Sequence, residues 1–598
     1  MFLIRRYALP LSLLAVLMLM IAAPYLIPEN PDSAVFRSGT LGAILIAGCA
    51  FPIWQAFSRA DRRTLASGLV FGLLFATALS LGSELFIYNG LLRGMGSLIR
   101  RLAVPLLAAP ALGALCARLM LSGRLLCARK APRMPVWGIA LILFVCWFPL
   151  LLAFYPGMLN YDVASEYAQH VEQAYSNIHP LLHSALLNGI ITLGEMLVSR
   201  TFGVLLMSLI QMALFALALA YSCAFAQRRG APLWAVMLML AFYALHPVFS
   251  VMSLSMTKDT LFAAAVLVFS LKTWEMIESP ESFFARRQTC AFYVVLGVAS
   301  ALLRNNGVFA LLLMFPALLV ALRGFKKRVA LLYAACVLSC AVVQGGLTLL
   351  LTPESFPSFQ FYSLPAQQLV RAYNSGAMSE EDQAEIRSWY SDEYGLTIHE
   401  HLADSAKGYL DRPLMQEKGG EFLLLWARHA KTYAHEYLEA FLMLNVGSWY
   451  PDDLSHSTIY PDASYNDKGY LQLNEYDLSQ YDIHTSCYLP SVRDFYERIC
   501  RRNEYQKYPV ISILFCTATP FFMIVLACAL LVSRRQSRLL PAAMGALGLW
   551  LSYLFGPCTL PRYILPLFCL APPLLLCAFL LKRHDEAESL IPSHDRSL

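Results

Sequence analysis

The chain has 598 residues, of which 58% are hydrophobic and only 14% charged, where a soluble globular domain carries about 25% charged residues. That deficit excludes a water-soluble fold and points to lipid as the main solvent. The net charge of +6 hides a split: residues 352–507 hold 24 Asp and Glu against 13 Lys and Arg, while the rest of the chain holds 33 basic against 16 acidic residues. Basic short loops stay in the cytoplasm and a long loop crosses whatever its charge, so the basic balance encodes orientation and implies no nucleic-acid partner.

Fourteen apolar stretches are predicted to cross the membrane: residues 7–27, 38–57, 65–88, 102–121, 135–155, 201–226, 232–252, 260–277, 289–303, 308–323, 329–351, 508–532, 538–556 and 563–581. The first follows Arg5-Arg6 and is too long for a signal-peptide core, so it is expected to be retained as a span. With the N-terminus inside, the turns "SRADRR", "SGRLLCARKAPR", "QRRG", "ESPESFFARRQ", "RGFKKR" and "SRRQSR" and the tail "KRHDE" are cytoplasmic, and nearly all are basic. Residues 89–101, "NGLLRGMGSLIRR", dissent: they carry three Arg and fall outside or lie along the interface.

Residues 181–199 are moderately apolar. Counting them as a span would flip every later loop, so they are expected to form an interfacial or re-entrant helix on the outer face. The predicted fold is an all-α polytopic protein of the plasma membrane with both termini cytoplasmic. N-terminal helices occupy 1–134, a core 135–351, and C-terminal helices and a tail 508–598. Between them, 352–507 forms a mainly α extracytoplasmic domain holding 16 of the 30 Tyr. Cys487 and Cys500 lie in this polar segment, either as a disulfide or as two unpaired thiols.

Five segments reach the outer face: 156–180, 253–259, 304–307, 352–507 and 557–562. The first leaves a span through Pro156-Gly157 and presents Asp162 and Glu166, one helical turn apart, then His179 and His183. Taken alone, Asp162 reads as a helix cap, but charge beside the bilayer is costly and usually has a role. Lys258-Asp259 opens the span after His246-Pro247. Asp259 suits a helix start, whereas Lys258 opposes the dipole there unless an anion is present. Arg304 and Asn305 interrupt an apolar hairpin, and Arg562 and Tyr563 stand at the mouth of the last span, where the plain alternative is an interfacial anchor. "HEH" at 399–401 is too short to count as a zinc site, and no Walker-type glycine loop is present.

The motifs "YPGMLNYD", "HPVFSVMSLSMTKDTLF", "LRNNG" and "PRYILP" resemble a family of bacterial multi-pass proteins. These are similar to the GT-C superfamily of polyprenyl-phosphate-sugar-dependent glycosyltransferases. The resemblance covers residues 135–330 and, loosely, the final spans. It implies a GT-C-like core with the catalytic acid of the first outer loop at Asp162, seconded by Glu166. Lys258, Arg304 and Arg562 would hold the lipid phosphate, with Tyr161, His179, His246, Asp259, Asn305 and Tyr563 around the substrate. Members carry adjacent acidic residues in that loop, whereas here Tyr161-Asp162 is followed by Glu166. Metal dependence stays open, with Asp162 and Glu166 as the ligands of Mg2+ or Mn2+ if one binds.

The implied partners are a polyprenyl-phosphate sugar donor, an envelope glycan or lipid acceptor, and membrane lipids. The chemistry of such a transfer asks for a general base and for cations at the departing phosphate. Two rival functions stand beside it. A lipid-linked glycan polymerase or ligase also uses outer-loop Arg residues but needs no carboxylate in the first loop. A lipid-linked oligosaccharide flippase should show mid-span charges and related halves, and neither is evident in the sequence.

Overall fold

The computed structural model describes residues 1–26, 40–122, 133–354, 359–397, 402–451, 471, 473, 476–501, 504 and 509–581. Among the described residues the chain is almost entirely helical, with isolated bridges and no β-strand. Eight helices among the described residues are long and apolar enough to cross a membrane: Ala8–Tyr25, Arg62–Leu85, Met95–Leu121, Val136–Ala153, Arg200–Arg228, Lys258–Glu278, Arg323–Leu351 and Pro561–Leu580. The protein is therefore a membrane-embedded, all-α molecule, since helices satisfy their own backbone hydrogen bonds in lipid.

The remaining predicted spans are shorter or broken. Leu233–Leu245 and Pro247–Leu254 form a pair bent by 53°. Stretch 38–57 divides into Thr40–Gly48 and Ala50–Arg59, and 508–532 into Pro509–Phe515 and Thr519–Ser533. Helices Arg287–Leu302, Val308–Ala321 and Pro541–Tyr553 are each below the length of a full crossing.

Burial separates the centre from the rim. The apolar window of Lys258–Glu278 is 83% buried, whereas that of Arg323–Leu351 is 6% buried. The first is the hub, touching Arg200–Arg228, Arg287–Leu302, Pro541–Tyr553 and Pro561–Leu580. Helix Leu181–Leu197 folds back along the first half of Arg200–Arg228. Gly194 and Gly203 let the two backbones touch, and Leu187 and Ile191 pack on Val204 and Met207. At 29 residues, Arg200–Arg228 is about 43 Å long at 1.5 Å per residue, which exceeds the bilayer core of about 30 Å. Leu181–Leu197 thus accompanies one end of a long helix.

The long polar segment builds its own core. Helices Ser363–Tyr373, Glu380–Arg387 and Arg412–Ala430 enclose Leu369, Ile386, Trp389, Phe422 and Leu425. It also meets the first loop, 156–180, and the chain around 554–557. Glu354 N–H donates to Tyr175 O at 2.8 Å, Ala403 N–H to Pro557 O at 2.7 Å, and Asn445 Nδ2 to Leu554 O at 2.8 Å. Cys487 and Cys500 are both free thiols. The "HEH" tripeptide and the "KRHDE" tail lie outside the described residues.

Candidate functional site

The first loop is pinned on two sides before it delivers its carboxylates. After the cis Tyr155–Pro156 bond, Met158 N–H donates to Leu254 O at 3.3 Å, while Tyr476 N–H donates to Leu159 O at 2.7 Å. Gly157 sits against Ser208, where any side chain would collide with the Ser208 hydroxyl. Helix Tyr161–Val171 then begins, and its cap is Asn160, whose Oδ1 accepts from Val163 N–H at 3.1 Å. The capping role read for Asp162 belongs to Asn160, which has the non-helical backbone a cap needs. Asp162 is thereby free to bind through its side chain, in a first turn whose dipole favours negative charge.

A bent helix pair supplies the opposing wall. Pro247 cannot continue the helix before it, and all eight residues of Pro247–Leu254 are buried. The chain next unwinds at Ser255–Thr257, and non-helical backbone at such a depth requires protein partners. Gln211 provides them: its Nε2 donates to Ser255 O at 2.8 Å and Ser253 O at 3.1 Å. Thr260 Oγ1 donates to Met252 O at 2.5 Å. The next helix therefore starts at Lys258, facing the first loop.

Three cations and two carboxylates converge here. Lys258 Nζ donates to Asp162 Oδ2 at 3.1 Å, and Arg562 Nη1 donates to the same oxygen at 3.2 Å. Arg562 Nη2 also donates to the Tyr161 hydroxyl and, at 3.3 Å, to the Tyr563 hydroxyl. Arg304 pairs with Asp259 and lies 4.4 Å from the centre of the Tyr563 ring, with Arg562 5.1 Å from that ring. Tyr563 thus links both ion pairs. A small open cleft, with room for little more than a water molecule, reaches Arg562 and is lined also by Asn160, Met252, Ser255 and Leu560.

Glu166 faces a different group. Its Oε2 lies 2.8 Å from His183 Nδ1 and accepts from Ser184 Oγ at 2.7 Å, and its Oε1 lies 3.8 Å from His179 Nδ1. Burial pushes the Asp162 carboxyl up, but Arg562 and Lys258 outweigh it and hold the group well below the usual carboxylate range. Glu166 is likewise lowered, burial being outweighed first by His183. Burial, with the nearby Lys258 charge, pushes His179 down, and burial pushes the Tyr161 hydroxyl up to about 12. The carboxylates are ionised at neutral pH and His179 is neutral.

This arrangement corrects several sequence expectations. Lys258 turns inward to Asp162, so the negative group at this helix start is a side chain of the chain itself. Each of the three cations already holds a carboxylate, so an incoming phosphate would have to compete for it. The pair Asp162 and Glu166 does not fit a Mg2+ or Mn2+ ion: two positive side chains occupy Asp162 Oδ2, and Glu166 turns to its histidines. His246 stands apart from the cluster. Its Nδ1 accepts from Val248 N–H at 3.2 Å, its Nε2 is 3.1 Å from Leu514 O, and its ring packs on Phe242, Phe249, Phe515 and Phe568. Asn305 is exposed on its hairpin, and its neighbour Asn306 donates to Ser552 Oγ at 2.9 Å. Sequence reasoning missed Gln211, though an amide inside an apolar span is itself a signal.

A family described as a family of unknown function (DUF6020) matches residues 169–591. The matched region begins after Asp162 and Glu166 and contains Lys258, Asp259, Arg304 and Arg562. No curated protein and no solved structure matches the chain.

Proposed function

The chain belongs to the DUF6020 family, and from the site it carries we propose a GT-C-type membrane glycosyltransferase that moves a sugar from a polyprenyl-phosphate donor to an envelope glycan or lipid acceptor. The observation that carries this reading is Asp162: a buried, ionised carboxylate held by Lys258 and Arg562 beside an open cleft. In the reaction, an acceptor hydroxyl oxygen attacks the anomeric carbon and the bond from that carbon to the phosphate oxygen breaks. The polyprenyl phosphate leaves with the electron pair. Lys258 and Arg562 are the cations suited to that phosphate, and Asp162 Oδ2 is the acceptor for the hydroxyl proton.

Resting Asp162 is a weak base, because two cations stabilise its anion. A donor phosphate competes for the same cations. As they turn to it, the carboxylate loses the partners that depress its basicity, so donor binding prepares the base. Crossings at all fourteen apolar stretches, with the site on the extracytoplasmic face, would place this chemistry at headgroup depth. The exposed rings of Tyr394 and Tyr409, 5.3 Å apart, offer a stacking platform for a glycan acceptor.

The test is single-turnover sugar transfer by protein in lipid nanodiscs. Asp162→Asn is expected to slow transfer by about 10²–10⁴-fold, the usual weight of general-base assistance. The same variant should bind the donor at least as tightly, because Lys258 and Arg562 lose their internal competitor. Glu166→Gln should slow transfer less. Transfer by Asp162→Asn at the wild-type rate would sink the mechanism, and absence of a lipid-phosphate monosaccharide among molecules accumulating without the gene would sink the substrate class.

A further inference from the structure

We propose that the 352–507 segment binds a divalent transition-metal ion of the zinc class through Asp382, Glu385 and His429. This goes beyond glycosyl transfer and does not rest on it. Ser379 Oγ accepts from Asp382 N–H at 3.1 Å and starts helix Glu380–Arg387. Glu385 follows Asp382 by three residues and shares its face of that helix. His429 arrives from the last turn of helix Arg412–Ala430. One ligand atom from each of the three lies within 4.8 Å of the others.

The second, independent observation is His429 itself. The residue is 5% exposed, and its Nε2 is buried with no hydrogen-bond partner. Buried polar atoms in native proteins are nearly always satisfied, so this nitrogen calls for a ligand. Its distance to Asp382 Oδ1 is 3.9 Å, too long for a hydrogen bond. Two donors that share one ion at roughly 2.0–2.2 Å stand roughly 3–4 Å apart across it. The spacing therefore suits an ion between them better than a direct contact.

The donor set fixes the class. Mg2+ and Ca2+ prefer all-oxygen shells, whereas an imidazole nitrogen with two carboxylates suits Zn2+ and its neighbours. Asp382 and Glu385 are partly exposed, so the ion has a route from solvent and room for water on its open side. Arg428 pairs with Glu385 at the surface; such exposed pairs are weak and give way to an ion. Bound metal would clasp helix Glu380–Arg387 to helix Arg412–Ala430 at the edge of the segment's core.

The full chain in nanodiscs, stripped with chelator and re-equilibrated with Zn2+, is analysed for metal content by mass spectrometry and for affinity by calorimetry. The expected result is a tightly held Zn2+ whose addition raises the thermal midpoint. Asp382→Asn and Glu385→Gln, both at the partly exposed rim, should leave the metal-free midpoint in place and weaken binding by roughly tenfold or more. His429→Gln should do the same to binding. A chain that retains no Zn2+ overturns the proposal. So does wild-type affinity in both carboxylate variants, which would move the ion elsewhere. Displacement of Zn2+ by equimolar Mg2+ or Ca2+ would overturn the class of ion.

Discussion

Asn160 and Asp162, two positions apart, divide what one residue could have done. Asn160 satisfies the helix start, and replacing it with Ala should cost about 1 kcal/mol with little pH dependence. Asp162 instead neutralises Lys258 and Arg562. Asp162→Asn keeps an acceptor oxygen but loses the charge, for about 1–3 kcal/mol. The folded carboxyl is depressed below its ordinary value, so its contribution is complete above about pH 4 and is lost as pH falls through the lower folded value. The stability gap between wild type and Asp162→Asn should therefore stay flat from pH 8 to about 5 and close only in stronger acid. Midpoints measured across pH 3–8 decide this; a gap still unchanged at pH 3 would mean that the carboxyl is not depressed. Asp162, Lys258, Arg304 and Arg562 were legible in the sequence because charge is scarce near lipid. Their pairing was not, since the partners of Asp162 lie 96 and 400 residues away. His246, which the resemblance would place around the substrate, caps helix Pro247–Leu254 among aromatic rings, apart from the charged cluster.

At the level of elements, proline and glycine signalled breaks that hydropathy smoothed over. His246-Pro247 lies inside an apolar stretch that reads as one span, yet the chain bends there by 53°. The bend and the unwinding after it carry Lys258 to Asp162, so the break serves the site. Its free carbonyls depend on Gln211, a residue that no local pattern connects to positions 40-odd residues ahead. Gln211→Leu preserves bulk but leaves those carbonyls without a donor. The expected loss is about 1–3 kcal/mol, read as a lower thermal midpoint, together with weaker donor binding as Lys258 loses its fixed origin. An unchanged midpoint would show that the unwound turn holds itself. Helix Leu181–Leu197 was legible as a helix from its apolar run, and it lies along Arg200–Arg228.

Across the whole molecule, charge sorts the loops into faces. The basic loop 89–101 looked misplaced by sign alone, but Arg93 pairs with Glu436, His435 Nε2 lies 3.0 Å from Leu91 O, and Arg371 meets both Glu439 and Asn89 O. Arg100 and Arg101 are matched by Glu84. The three arginines of that loop therefore answer local carboxylates, two of them at a span end and one on the acidic segment. Their charge is balanced where they sit, so the sign of this loop says little about its side. The contacts fix which loops share a side, and labelling can assign the side. Single cysteines at exposed Met95 and Ala377 and at Gly324, in the "RGFKKR" turn with nothing within 4 Å of a new side chain, form the set. In a background without reactive native thiols, an impermeant reagent added to intact cells should label Met95→Cys and Ala377→Cys and spare Gly324→Cys until lysis. The opposite pattern would reverse the orientation and remove the site from the extracytoplasmic face. Labelling of Met95→Cys and Ala377→Cys from different sides would be incompatible with the Arg93–Glu436 contact itself, because no rearrangement short of separating the N-terminal helices from the long segment could accommodate it.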